Sequence, residues 1–148
     1  MSSATAVDAA VDAVAQTLPQ RTARITRRLV QQLSLPLSRT ELSVLTTLED
    51  GPRRVTGIAE AERLAQPTVT LLVKGLEASG WVTRERDPAD GRAVLVYLTD
   101  AGRKALGTAR AELRQALRVH LSELSGDQVR ALASASDALV PLIEALEG

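Results

Sequence analysis

The sequence of 148 residues has no cysteine and no phenylalanine, and it has only one tryptophan and one tyrosine. Without cysteine there is no disulfide, thiol nucleophile, thiol redox sensor, cysteine-ligated zinc or iron–sulfur cluster. The scarcity of aromatic side chains argues against a platform that stacks the bases of single-stranded nucleic acid. Because neither cysteine nor a secretory signal is found, we expect a cytoplasmic protein.

An excess of charge of one sign is also lacking, since 18 Lys and Arg residues balance 18 Asp and Glu residues. This balance excludes a uniformly basic nucleic-acid binder but leaves room for a local basic patch. One histidine, no glycine-rich phosphate loop and no clustered carboxylates are too little for an active site. We therefore predict that the protein is not an enzyme and uses no cofactor or metal. No apolar run approaches the ~20 residues of a membrane span.

Most of the chain has the apolar spacing and the Ala, Leu, Arg and Glu content of helices. A first helical segment is predicted over Thr5–Leu33, with a break near Pro19 because proline removes a backbone hydrogen bond. Capping boxes at Ser38–Glu41 and Ser125–Gln128 predict the starts of two further helices. Thr99 is predicted to cap a long helix that follows it.

Between these helices the pattern is short helix, tight turn, helix and β-hairpin. Thr56 is predicted to cap the short helix, and the next helix is predicted over Pro67–Ser79. Two alternating runs, Trp81–Arg86 and Arg92–Thr99, predict hairpin strands around a turn at Asp87–Gly91. This order is that of a winged helix-turn-helix, whose second helix enters the DNA major groove while the hairpin, or wing, contacts the neighbouring minor groove or backbone.

Six short stretches also carry a likeness to a known family: Glu41–Leu45, Ile58–Glu60, Gln66–Thr70, Leu76–Val82, Asp90–Arg92 and Leu98–Thr99. Together they resemble the MarR family of transcriptional regulators. The resemblance implies a mainly α fold with a small β-wing. It implies dimerisation helices in residues 1–35, a winged helix-turn-helix DNA-binding domain in residues 36–104 and further dimerisation helices in residues 105–148.

The same resemblance implies a homodimeric repressor that binds a pseudo-palindromic operator in double-stranded DNA. It also implies release by a small phenolic or carboxylate effector, whose site in this chain stays open. The residues favour a dimer independently, because the terminal helices carry more apolar residues than a winged domain covers. The alternative is a winged-helix module that binds another protein, and the equal number of acidic and basic residues in 36–104 does not exclude it.

DNA contacts are predicted first on the second helix of the pair. Gln66 can pair with adenine, and Thr68 and Thr70 can bond a base edge or contact a thymine methyl. Pro67 is expected to shape the backbone and contact thymine, and Lys74 to approach a phosphate. The alternatives are an N-cap for Thr68 and solvated side chains for the others.

The wing carries the second set of predicted DNA contacts. The resemblance implies that Arg92 enters the minor groove, where a narrow A·T-rich groove has an enhanced negative potential. Asp90 is predicted to hold the Arg92 guanidinium by a bidentate pair. Arg84 and Arg86 lie on one face of the first wing strand, and they are predicted either to contact phosphates or to serve the protein's own structure.

Two pairs of residues leave alternatives open. Arg53 and Arg54 precede the short helix, and they serve either the DNA backbone or the protein's own structure. Leu71 and Gly75 occupy positions of the second helix where the family often carries arginine, and Gly75 either permits close backbone packing or lowers the affinity for DNA. This departure predicts fewer basic contacts from that helix and a larger share for the wing.

Overall fold

The computed structural model describes residues 3–148. The elements in chain order are α1 (Ser3–Val30), α2 (Arg39–Thr47), β1 (Arg53–Arg54), α3 (Val55–Glu62), α4 (Gln66–Ala78), β2 (Val82–Asp87), β3 (Asp90–Leu98), α5 (Asp100–Leu121) and α6 (Gly126–Glu147). The predicted mainly α fold with a small β-wing is confirmed. The chain divides between Leu113 and Arg114 into two compact units, whereas the division into three segments stays a prediction. Within residues 3–148 no helix is both long and apolar enough to cross a membrane.

Helix α1 runs through Pro19 without interruption, so the predicted break there is wrong. Proline removes one backbone donor, but strong helix formers surround it and the helix is long enough to tolerate the loss. The Thr22 hydroxyl donates to the carbonyls of Leu18 and Pro19, at 2.9 and 3.1 Å, beside the proline. The helix ends at Val30, earlier than the predicted Leu33.

Both predicted capping boxes are confirmed. The Ser38 hydroxyl accepts a hydrogen bond from the Glu41 N–H at 3.1 Å, and the Glu41 carboxylate accepts from the Ser38 N–H at 2.8 Å. Ser125 and Gln128 repeat this exchange at the start of α6. Thr99 also caps α5, because its Oγ1 accepts from the Gly102 N–H at 3.0 Å. These side chains satisfy backbone donors that a helix start leaves without partners.

The cap predicted for α3 is wrong. This helix begins at Val55, its N-cap is Arg54, and no side chain caps it, so Thr56 lies inside the first turn. The two residues before it form strand β1, which pairs antiparallel with β3 through Arg53 opposite Val96 and Arg54 opposite Leu95. The pairing holds the backbone extended up to Arg54, which places the helix start without a side-chain cap.

The sheet has the order β1-β3-β2, and its longer pair forms the wing. The predicted turn over Asp87–Gly91 is too long. Asp87 and Asp90 lie opposite each other as partners, so only Pro88 and Ala89 separate the strands. A register irregularity between Arg86 and Asp87 lets the strands continue into this shorter turn.

The core of the winged part draws on every helix from α2 to α5 and on the wing strands. Its largest fully buried side chains, each below 2% exposure, are Leu45, Leu48, Ile58, Leu76, Leu106, Val44, Val69, Val73 and Val96. Gly80 adopts a positive φ of 76° just beyond α4, a conformation that glycine adopts at no steric cost. The turn that it allows carries the chain from α4 directly into the wing.

Candidate nucleic-acid interface

Helix α4 separates its side chains into a buried and an exposed face. Val69, Val73 and Leu76 are buried against the core. Leu71 follows Val69 by two positions, about 200° around a helix of 3.6 residues per turn, and it points away from the core. Pro67 and Lys74 share its exposed side. The second helix of the pair therefore presents a free face, as a recognition helix must.

A cleft of about 380 Å³ lies between the beginnings of α3 and α4 and wing strand β3. Its lining residues are Arg54, Val55, Thr56, Gln66, Thr70, Arg92, Ala93 and Val94. Two of them are arginines, three carry polar uncharged groups, and none is acidic. The structure thus brings the predicted residues Gln66, Thr70 and Arg92 to one concave surface.

The Arg54 guanidinium joins β1 to the wing turn. Its Nε and Nη2 donate to Oδ2 of Asp87 at 2.8 and 2.5 Å, and Asp87 is only 7% exposed. The Ala89 N–H donates to the other carboxylate oxygen at 2.9 Å. The Ala89 N–H and the Arg54 guanidinium together hold the pKa of Asp87 below its ordinary value. This pair fixes the turn of the wing against the strand that leads into α3.

The predicted bidentate pair between Asp90 and the Arg92 guanidinium is wrong. Asp90 Oδ1 instead accepts a hydrogen bond from the Arg92 backbone N–H at 3.1 Å. Aspartate often makes this bond to an N–H two residues later in a turn. Its Oδ2 lies 4.0 Å from Arg54 Nη1. Asp90 therefore shapes the backbone that carries Arg92, and the guanidinium has no acidic partner among residues 3–148.

The two arginines of strand β2 differ in their surroundings. Arg84 donates from Nε to Glu77 Oε2 of α4 at 2.9 Å, and its Nη2 lies 2.7 Å from the same oxygen. Arg86 is exposed, and in the described part of the chain it has no ion-pair partner. Arg84 thus fastens the wing to the recognition helix, while Arg86 keeps its charge available. Phosphate contacts from either residue stay a prediction.

The remaining predicted positions take less central places. Arg53 donates from Nε to the Thr47 carbonyl at 3.2 Å, so both it and Arg54 make structural contacts. Thr68 is exposed, and the N-cap of α4 is Ala65 without a side-chain cap, so the capping alternative for Thr68 is wrong. The Thr70 hydroxyl donates to the Gln66 carbonyl at 3.0 Å.

Sequence reasoning missed the cleft lining contributed by Thr56 and Val94 and the anchoring partnership of Arg54. All three depend on the pairing of β1 with β3. This pairing joins residues about 40 positions apart, so no local sequence pattern indicates it. Within residues 3–148 no group of His, Asp and Glu side chains is arranged to hold a metal ion. His120 is exposed in the last turn of α5.

Comparison with known proteins agrees with this geometry. Residues 37–94 match the MarR family. An uncharacterized HTH-type transcriptional regulator from Mycobacterium leprae is 34% identical over 110 residues, which are 74% of this chain and 77% of that protein. The helix pair, the wing and the cleft between them define a winged helix-turn-helix transcriptional regulator. The chain belongs to the MarR family, and the prediction that it is not an enzyme is confirmed by its relatives.

Two solved structures have the same fold. Wild-type MarR from E. coli in its apo form superimposes with a TM-score of 0.72 at 22% identity, covering 86% of this chain and 97% of that one. The transcriptional repressor CouR, solved with a 23-mer DNA duplex, has a TM-score of 0.69 at 27% identity and covers 88% of this chain and 89% of its own.

Proposed function

We propose that the protein is a homodimeric repressor that binds a pseudo-palindromic operator in double-stranded DNA, in the cytoplasm, and leaves it when a small phenolic or carboxylate effector binds. The observation that carries the DNA-binding part is the cleft between α4 and the wing, where the guanidinium of Arg92 has no acidic partner in residues 3–148. A DNA strand seated there has the major groove on the side of α4 and the minor groove on the side of the wing. CouR, of similar fold, was solved with a DNA duplex.

The recognition helix supplies the base contacts in this proposal. Gln66 and Thr70 reach base edges from the wall of the cleft, and Thr68 contacts a base or sugar beside them. Pro67 sets the approach of the helix start, and Lys74 neutralises a phosphate one or two turns further along the helix. The Thr70 hydroxyl donates its hydrogen to the Gln66 carbonyl, and its oxygen can still accept a hydrogen bond from a base donor.

The wing supplies the minor-groove and backbone contacts. Arg92 enters the minor groove from the start of β3, and Asp90 orients the backbone beneath it. Arg86 contacts a phosphate, and Arg84 contributes by holding the wing to α4 while part of its charge is shared with Glu77. Because few cations on this surface are free, we expect the discrimination between DNA sequences to come mostly from shape and base contacts rather than from net charge.

The dimer is supported separately by α1 and by α6. Helix α1 exposes four large aliphatic residues, Val7, Val11, Val14 and Ile25. Helix α6 has no buried residue within the described chain, and it exposes Val129, Leu132, Val140, Leu142, Ile143 and Leu146. Apolar surface of this extent is typical of a protein–protein interface, and a second copy of the chain is the occupant that we propose.

Binding to DNA is tested by selecting duplexes from a random pool with the purified full chain and measuring affinities for the enriched sequence by fluorescence anisotropy. We expect an inverted repeat with half-sites about one helical turn apart. Arg92→Ala should bind at least tenfold more weakly, while Arg130→Ala, which removes an exposed arginine of α6, should bind like the wild type. Light scattering should report the same dimer for all three proteins.

Two results would overturn the proposal. Failure to enrich any sequence, or equal affinity of wild type and Arg92→Ala, would favour the protein-binding alternative. A monomer at micromolar concentration would contradict the dimer. The effector is tested in the same assay by adding simple phenolic acids, which should raise the dissociation constant for DNA if the proposal is correct.

A further inference from the structure

Leu71 is the most exposed large aliphatic side chain in residues 36–104 that the structure describes. Its exposure is 71%, whereas Val94, the next in this part of the chain, is 40% exposed. It lies near the middle of α4, on the side opposite the buried Val69 and Val73. An isolated exposed leucine on a protein surface is ordinary, but this one stands at the centre of the face that the fold presents to its ligand.

The surroundings of Leu71 leave it free to be contacted. Pro67 precedes it by one turn and Gly75 follows it by one turn on neighbouring parts of the exposed face. A Cβ built on Gly75 would have no atom within 4 Å, so no side chain covers Leu71 from that side. The structure therefore holds a small apolar spot, made of Pro67 and Leu71, that a groove wall can approach closely.

The charges around this spot are complementary to a nucleic acid rather than to an apolar protein surface. Lys74 lies on the same face of α4, and Arg92 lines the cleft together with Gln66 and Thr70 of that helix. Neither has an ion-pair partner in residues 3–148. An apolar spot on a helix face that also carries a free cation is complementary to a DNA major groove, where phosphates border the bases and the apolar group of the groove floor is the C5-methyl of thymine.

We propose that Leu71 is a specificity-determining residue that reads a thymine methyl group in the major groove. The inference rests on the proposed function, since it requires that α4 enters that groove. A leucine at this position has no group that bonds guanine O6 and N7, as an arginine would. In the major groove, the Leu71 side chain can bury apolar surface only against the methyl group of a base. The protein should therefore prefer an A·T pair, with thymine on a defined strand, at the place in each half-site that faces Leu71.

The test uses the full chain and the duplex enriched from the random pool. Each thymine is replaced in turn by deoxyuridine, which keeps every hydrogen-bonding group and removes only the methyl. At one position per half-site we expect about a fourfold weaker binding for each methyl removed, the loss typical of one buried methyl-sized group. A 5-methylcytosine placed at that position, opposite guanine, should bind more tightly than cytosine by a similar factor.

Two variants assign the effect to Leu71. Leu71→Ala should bind the thymine and deoxyuridine duplexes equally, because the shorter side chain no longer reaches the methyl. Val119→Ala, which trims an exposed aliphatic side chain of α5, should keep the fourfold difference. Circular dichroism spectra of both variants should match that of the wild type.

The outcomes separate this inference from the proposed function. If the wild type enriches a specific duplex but no deoxyuridine substitution depends on Leu71, the inference is wrong and the DNA-binding function stands. If the wild type binds no duplex specifically, the proposed function fails first. If Leu71→Ala instead changes the oligomeric state, the apolar spot serves a second copy of the chain and the inference is overturned.

Discussion

Helix α5 packs closely against the start of the wing at Gly102, where the fold leaves no room for a side chain. A Cβ at this position would overlap the carbonyl oxygen of Trp81 and come within 2.7 Å of Leu98 Cδ1. The leucine terminus can rotate, but the Trp81 carbonyl belongs to the backbone that leads into β2. Gly107 lies in the same helix and provides the matched control, since a Cβ there would have no atom within 4 Å.

Gly102→Ala should therefore destabilise the protein although alanine is the better helix former. Overpacking costs about 1–3 kcal/mol, and a clash with backbone belongs to the upper end of that range. Alanine returns about 0.8–1 kcal/mol of helix propensity. The net loss is about 2 kcal/mol, which lowers Tm by roughly 4–8 °C for a chain of this size. Gly107→Ala carries only the favourable contribution and should raise Tm by about 2–4 °C.

Thermal unfolding followed by circular dichroism at one fixed protein concentration measures both shifts, because association with a second copy would make Tm depend on concentration. Opposite signs for two identical substitutions in one helix would support the packing described here. A Gly102→Ala variant as stable as Gly107→Ala would refute the reasoning, because it would mean that α5 does not rest on the Trp81 carbonyl.

Three further predictions concern charge and the recognition helix. The pKa of Asp87 is lowered in the folded protein from an ordinary value of 3.8. The ionised carboxylate therefore stabilises the fold fully above about pH 4, and this stabilisation is lost as pH falls through the lowered pKa. In urea unfolding over a pH series, the free energy of unfolding of Asp87→Asn should fall less steeply in acid than that of the wild type, and an unchanged slope would contradict the pair with Arg54. Arg110→Ala breaks a pair with Glu49 at 2.9 and 2.7 Å that is partly exposed, and it should cost about 0.5–1 kcal/mol in low salt and less in high salt. Gly75→Ala meets open space and should stabilise α4 by about 0.8–1 kcal/mol, measured as a higher urea midpoint; a midpoint no higher than that of the wild type would contradict this.

Local signals explain the parts of the fold that the sequence predicts well. The capping boxes at Ser38 and Ser125 and the threonine cap at Thr99 each depend on residues three positions apart, and all three are present. The wing strands follow from alternation, and the end of α4 follows from Gly80. In these places one stretch of chain contains both partners of the interaction that decides the structure.

The wrong predictions share the opposite property. Thr56 has the composition of an N-cap, but strand β1 decides where α3 begins, and β1 exists only because β3 pairs with it. Asp90 is two residues from Arg92, which suggested a side-chain pair, yet the turn backbone takes the carboxylate. Pro19 was predicted to end a helix, although the residues around it favour helix strongly enough to continue it.

The same distinction between local and long-range interactions applies to the candidate site. The residues that a recognition helix exposes can be assigned from the helical period alone, and the structure leaves Gln66, Thr70 and Lys74 exposed accordingly. The cleft and the contribution of Arg54 to it could not be foreseen, because Arg54 reaches it through a strand pairing and an ion pair with a residue 33 positions away. Which arginines are free and which are engaged is decided by such distant partners.

The dependence of duplex binding on salt concentration tests the central claim most directly, namely that the face formed by α4 and the wing binds DNA through a small number of free cations. Lys74, Arg86 and Arg92 have no acidic partner within residues 3–148. Three free cations that displace counterions from the duplex, Lys74 and Arg86 at phosphates and Arg92 in the minor groove, predict a slope of log K against log salt of about −2.7 for each winged unit, reduced to about −1.8 in Arg92→Ala. Binding that is unchanged between about 50 and 200 mM salt, or a slope that Arg92→Ala leaves the same, would contradict the account.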